Sequence, residues 1–169
     1  KALDIGHGDE VLTAANTFYA SVGAIVEVGA TPRFVDCDDT FCLDVDQLEA
    51  AITPRTKAIM PIHLTGDVAD MPLIMEIAER HGLYVVEDCA QAVTAEYRGQ
   101  PVGSFGIINC FSMHPLKPLN VWGDGGIIVT DDDKAAEFLR LYRNHGLLDR
   151  DHVEIWGVND RLQPFQAVG

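Results

Sequence analysis

The sequence predicts an α/β layered domain, and two observations carry that expectation. Short apolar runs alternate with amphipathic stretches of helical period along the whole chain, which is the pattern of strands alternating with helices. Several of the apolar runs, Leu83–Glu87 most clearly, are nearly continuous, which suits a parallel sheet covered on both faces.

The elements follow in order. Glu10–Ala14 reads as a short strand and Thr17–Val28 as a helix ended by Gly29. Arg33–Asp36 is a strand. Asp44 caps a helix running to Ile52, with Gln47 placed for a capping box and Thr53-Pro54 as the stop. Lys57–His63 is a buried-type strand. Asp70 then caps a helix with Pro72 in its first turn, Leu73, Ile74, Ile77 and Ala78 along its apolar side and Gly82 after its end. Leu83–Glu87, Ile107–Phe111 and Gly126–Thr130 are further strands. Asp131–Asn144 is a helix with acids first and Arg140 and Arg143 last, matching the helix dipole. A last helical pattern begins at Leu162 and runs to Gly169.

The chain has 169 residues, the length of one domain, and no linker divides it. Its 12 Lys and Arg against 26 Asp and Glu leave a formal charge of −14, which argues against nucleic acid and against a polybasic membrane contact. A few backbone N–H groups and one cation suffice to hold a small anion in an acidic protein. Cys37, Cys42, Cys89 and Cys110 form no C-x-x-C pair, and reduced thiols in the cytoplasm are the simplest reading. The start at Lys1 and the stop at Gly169 suggest a piece of a longer protein.

Ligands of open α/β sheets bind outside the carboxyl ends of the strands, which singles out Glu87-Asp88, Ser112–Lys117 and Gly123–Gly126. Lysine is scarce: Lys1, Lys57 and Lys134 have ordinary solvated explanations, whereas Lys117 sits in an uncharged apolar stretch stiffened by Pro115 and Pro118. Apolar surroundings disfavour an ammonium, and a neutral amine is what attacks a carbonyl to form a Schiff base. The competing reading is a lysine snorkelling from a loop. Asp88 either caps the turn at Ala90-Gln91-Ala92 or faces the ring nitrogen of pyridoxal phosphate, with Glu87 on the opposite face of the strand. Gly123–Gly126 lacks the Rossmann and Walker spacings, no nucleophile elbow is present, and the six histidines form no metal-ligand pattern, so no metal is expected.

With these residues the sequence resembles the DegT/StrS family of pyridoxal-phosphate-dependent nucleotide-sugar aminotransferases. The resemblance runs through Gly8–Val11, Thr17-Phe18, Gly29–Asp36, Ile52–Ile59, Glu87–Ala92, Gly103–Gly106, Phe111–Lys117, Gly123–Gly126, Arg143–Gly146 and Asn159–Leu162. Each motif is modest; their order and spacing together are strong. The resemblance implies a three-layer α/β/α domain with a mostly parallel mixed sheet, like that of aspartate aminotransferase, with residues 1–169 as the core of the cofactor-binding major domain.

It also implies roles. Lys117 would be the Schiff-base lysine and proton carrier, and Asp88 the partner of the pyridine nitrogen. Gln91 would bond near the phenolic oxygen, Phe18 would stack on the ring and Ser112 would hold the phosphate. Asn159 would cross a homodimer interface to the neighbour's phosphate, giving shared active sites. Sister enzymes that dehydrate sugars carry histidine in place of the lysine, so Lys117 favours transamination of a nucleotide-linked keto sugar, with glutamate as donor. The alternatives are a non-catalytic or regulatory member of the fold, or a related enzyme acting on a keto-cyclitol or by elimination. His114 is balanced between touching substrate and filling its loop, and Ser104 receives no role. The family's N-terminal Gly-Thr segment and its small C-terminal domain are expected outside these residues. Pro118 stands where the family often has Asn, which removes a backbone donor beside Lys117.

Overall fold

The computed structural model describes residues 1–168. Its elements run β1 (Glu10–Ala14), α1 (Tyr19–Glu27), β2 (Thr31–Val35), α2 (Val45–Leu48), β3 (Thr56–Met60), α3 (Met71–His81), β4 (Tyr84–Asp88), β5 (Glu96–Tyr97), β6 (Gln100–Pro101), β7 (Ile108–Ser112), β8 (Gly126–Val129) and α4 (Asp133–Tyr142). Six strands form one sheet in the order β2-β1-β3-β4-β7-β8. The first five are parallel to their neighbours and β8 is antiparallel to β7, so the sheet is mixed and mostly parallel. Among the described residues β2 and β8 are its edges.

Successive residues of a strand face opposite sides, and the core divides accordingly. Leu12, Ile59 and Val85 pack on one face with Leu48 of α2 and Met71, Ile74 and Ile77 of α3. Val11 and Ala58 pack on the other with Ile25 of α1. The sheet is thus sandwiched between helices, the three-layer α/β/α architecture that the family resemblance implies. Its apolar strands are continuous because neither face of the sheet's centre meets water.

Local chemistry sets the helix ends. Asp70 accepts from Leu73 N at the start of α3, and Gly82 ends it in the left-handed conformation with φ 63°. Asp132 accepts from Ala135 N at 2.7 Å, so α4 starts after Asp132 rather than at Asp131. Asp44 caps α2 through Asp46 N, and Gln47 reaches back to the Asp44 carboxylate rather than to a backbone N–H. That helix is shorter than its pattern: the α-turn stops at Leu48 and a 3₁₀ turn continues to Ala51.

Three further differences have physical causes. β3 ends at Met60 instead of His63, because Pro61 has no N–H for the ladder; Ile62 makes only an isolated bridge to Asp88. The β5–β6 hairpin, absent from the sequence reading, turns through Arg98 and Gly99 at φ 52° and 85°. The helical pattern beginning at Leu162 yields a 3₁₀ turn at Gln166–Val168, too short to nucleate an α-helix, and Gly169 lies outside the described residues.

Candidate active site

The carboxyl ends of β1, β4 and β7 lie at the same end of the sheet. Asp88 is the last residue of β4 and pairs with Cys110 of β7, so Ser112 lies two residues further along β7 at the same end. The chain leaving β1 enters α1 through Phe18, and Ser21 in the first turn of α1 donates to Asp88 Oδ2 at 2.7 Å. The other carboxylate oxygen, Oδ1, accepts from Ala90 N at 3.0 Å. Asp88 therefore does cap its turn with one oxygen, while the other is held by a different element.

Lys117 sits in the loop that follows Ser112. The loop is closed at its base: Met113 N donates to Gly125 O at 2.8 Å and Val121 N to Met113 O at 3.0 Å. Inside it, Lys117 N donates to His114 O at 2.8 Å, and Asn120 Nδ2 donates to Lys117 O at 3.0 Å. His114 Nδ1 accepts from Leu116 N at 3.2 Å, which gives that ring a place in the loop's own framework. Ser112 Oγ accepts from His114 N at 3.3 Å. Lys117 is half-buried, whereas its neighbour Leu116 is 86% exposed. Gln91, in the turn beyond Asp88, is exposed. Phe18 is exposed too, its ring 4.2 Å from that of Tyr19.

Asn159 stands apart from this group. It forms an antiparallel bridge with Asn144 beyond α4, and Arg161 ties the two by donating to Asn159 Oδ1 at 3.0 Å and to Asn144 Oδ1 at 3.2 Å. Of two surface concavities, of about 680 and 930 Å³, one lies between α3 and the 104–107 turn, and one lies over β8 and α4 and is lined in part by Asp124, Gly125 and Gly126 at the base of the Lys117 loop. Neither is lined by Lys117 or Asp88.

Beneath that end lies a brace that the sequence reading did not pick out. Glu87 points away from Asp88, as expected, and is fully buried with His63. His63 Nε2 lies 3.1 Å from Glu87 Oε2, and Nδ1 accepts from Ala69 N at 3.3 Å. The acceptor role of Nδ1 assigns the ring proton to Nε2, which donates to Glu87. Three backbone donors complete the carboxylate: Gly103 N at 2.9 Å, Phe105 N at 2.8 Å and Gly106 N at 2.8 Å. Asn109 closes the same turn from the other side, donating to Gly103 O and Gly106 O. His63 N also donates to Asp88 O at 3.1 Å, which links the brace to the backbone of Asp88. A carboxylate in an otherwise apolar strand was the available signal; its partner, 24 residues away, was not legible without the strand order.

His63, Glu87 and the Cys89 thiol lie within 4.8 Å of one another, a cluster the sequence spacing did not reveal. Glu87 and both nitrogens of His63 are already engaged within the protein. Burial pushes the Cys89 thiol well above its ordinary value, reinforced by the Glu87 and Asp88 charges, and Cys110 is pushed up to about 11, by burial first and then by Asp88. These two thiols therefore stay protonated and unreactive at neutral pH.

Burial alone would raise the Glu87 carboxyl, but the bonds from His63, Gly106, Gly103 and Phe105 outweigh it and hold the group below its ordinary value. Glu10 is also held low, by Thr53 first and then Arg55. A depressed folded-state value gives stability that is full above the unfolded value, about pH 4.3, and is lost as pH falls through the folded one. Melting temperatures should accordingly fall below about pH 4. Replacing Glu87 by Gln should flatten that acid decline relative to its own neutral-pH value; an unchanged slope would remove Glu87 from the account.

Known proteins resemble the chain along its length. A relative from Acidithiobacillus ferrooxidans, UDP-N-acetyl-3-dehydro-alpha-D-glucosamine 3-aminotransferase, is 54% identical over 99% of this chain and 46% of its own length. A "Pleiotropic regulatory protein" of Geobacillus stearothermophilus is 49% identical over 99% of this chain and 45% of its own. The crystal structure of S. venezuelae DesV in complex with a ketimine intermediate superposes with a TM-score of 0.95 at 46% identity, over 99% of this chain and 45% of DesV. The chain thus spans about half the length of the relatives it matches. Residues 1–168 match the model of the DegT/DnrJ/EryC1/StrS aminotransferase family, and the chain belongs to that family.

Proposed function

We propose that residues 1–169 are the pyridoxal-phosphate-binding core of an aminotransferase that moves an amino group, from glutamate, to a nucleotide-linked keto sugar. The observation that carries the reading is the meeting of a lysine loop, a carboxylate and a hydroxyl at the carboxyl ends of neighbouring strands, in a chain of this family. The donor set fits the cofactor: an amine for its aldehyde, an anion for its ring nitrogen, a hydroxyl for its phosphate, an aromatic face for its ring. Bound there, pyridoxal phosphate supplies an electron sink for the carbanion left when an amino acid loses its α-proton.

Lys117 Nζ anchors the group and, once free, carries the proton between carbon atoms. Asp88 pairs with the ring nitrogen, Gln91 bonds near the phenolic oxygen, Ser112 holds the phosphate and Phe18 covers the ring. Asn159, exposed on the surface, reaches the phosphate of a second subunit, so the enzyme works as a homodimer with shared sites. Exposed Trp122 and Phe165, with rings 5.5 Å apart, support such a partner, because adjoining large apolar side chains in solvent mark contact surfaces. No helix among the described residues is long and apolar enough to cross a membrane. Free cysteines and nucleotide-linked substrates favour the cytoplasm.

The full-length protein, given pyridoxal phosphate, glutamate and a panel of nucleotide keto sugars, should yield an amino sugar and 2-oxoglutarate by mass spectrometry. Absence of both products across the panel would overturn the enzymatic reading. Cofactor binding without turnover would instead favour a regulatory role, the second reading, which the relative named as a regulatory protein supports.

A further inference from the structure

We infer that Ser21 is a positioning residue that sets the carboxylate of Asp88 for the cofactor's ring nitrogen and keeps it in register with Phe18; the inference rests on the functional reading above. Ser21 is buried in the first turn of α1, and its backbone N–H donates to Phe18 O at 3.1 Å. Its hydroxyl has one proton, which goes to Asp88 Oδ2 at 2.7 Å. The Thr17 hydroxyl, 3.0 Å from Ser21 Oγ, is then the donor to Ser21; its other acceptor, Phe18 O, is longer at 3.5 Å. A chain of hydroxyls therefore runs Thr17 to Ser21 to Asp88.

Asp88 has only two protein bonds to its carboxylate among the described residues, Ser21 on Oδ2 and Ala90 N on Oδ1. The Ala90 bond is local and leaves the carboxylate plane free to swing. Adding the Ser21 bond, from a different element, fixes that plane before any ligand arrives. The same short segment carries Phe18. The aromatic ring and the carboxylate would grip one flat molecule from its face and its edge, so an error in their spacing weakens both contacts at once. Ser21 need touch neither the cofactor nor the substrate to control that spacing.

The test uses the full-length protein with pyridoxal phosphate. Ser21→Ala should weaken cofactor binding about tenfold, the loss of one hydrogen bond to a charged group, and shift the pH at which the bound cofactor's absorption changes. Ser21→Thr should restore both, while the melting temperature of the cofactor-free protein stays close to wild type. In Asp88→Asn the further change Ser21→Ala should have little added effect, because coupled residues are not additive. Equal affinity and an equal absorption profile in Ser21→Ala would overturn the role of Ser21 alone. So would an effect of the same size in the Asp88→Asn background. A wild-type protein that takes up no pyridoxal phosphate would overturn the functional reading and this inference with it.

Discussion

Replacing Lys117 by Ala in the full-length protein is expected to lower turnover by about 10⁴-fold, the upper range for loss of a positioned acid–base group, and to erase the absorption band of cofactor bound to lysine. Both effects follow from one atom, Nζ, which the proposal assigns to anchoring and to proton transfer. The change should leave the fold intact. The backbone bonds that close the loop, from Met113, Lys117 and Val121, do not involve the Lys117 side chain. Lys57→Ala and Lys134→Ala, at lysines placed away from the sheet's carboxyl end, serve as controls and should behave as wild type. Spectra and steady-state rates of the three variants decide the matter. A Lys117→Ala protein that keeps the band and its activity would falsify the assignment.

The second large effect is on stability. Glu87→Ala leaves three partly buried backbone N–H groups and the fully buried Nε2 proton of His63 without their acceptor. Each buried donor left unpaired costs about 1–3 kcal/mol, and a total of several kcal/mol corresponds, for a chain of this size, to a fall in melting temperature on the order of 10 °C. Glu87→Gln should fall between Ala and wild type: one amide oxygen still serves two donors, but the amide NH₂ faces the others. Urea unfolding gives the free energies. Hydrogen exchange at residues 103–106 should quicken in both variants, and protection equal to wild type there would show that the turn is held by Asn109 instead.

What was legible in the sequence was local. The helix from Met71 to His81 could be read because its cap, its Pro, its apolar side and its terminal Gly82 all agree. Family order made Asp88, Ser112 and Lys117 readable as candidates, and the opposite orientation of Glu87 followed from strand geometry. Less legible was anything that depends on which strands are neighbours. His63 and Glu87 meet because β3 lies beside β4, and Ser21 reaches Asp88 across 67 residues. The Arg98-Gly99 hairpin hid for a different reason: Arg is a poor advertisement for a positive φ, which Asn or Asp would have signalled. The final helical pattern overreached because apolar spacing over a few residues beside Pro164 does not repay helix nucleation.

The two edges of the sheet differ in a way that bears on the chain's behaviour in concentrated solution. β2 carries Pro32, which lacks a donor, and Arg33, whose charge resists a neighbouring strand. β8 reads Gly-Ile-Ile-Val, has no charge, and among the described residues is bonded on one side only, with Ile127 and Ile128 both exposed. Such an edge can take a further strand, from the rest of the full-length protein or from a second copy. The net charge of −14 keeps copies apart at low ionic strength, and salt screens that repulsion. Within these residues, then, the uncharged strand favours pairing between copies and the net charge opposes it, the more strongly the lower the salt.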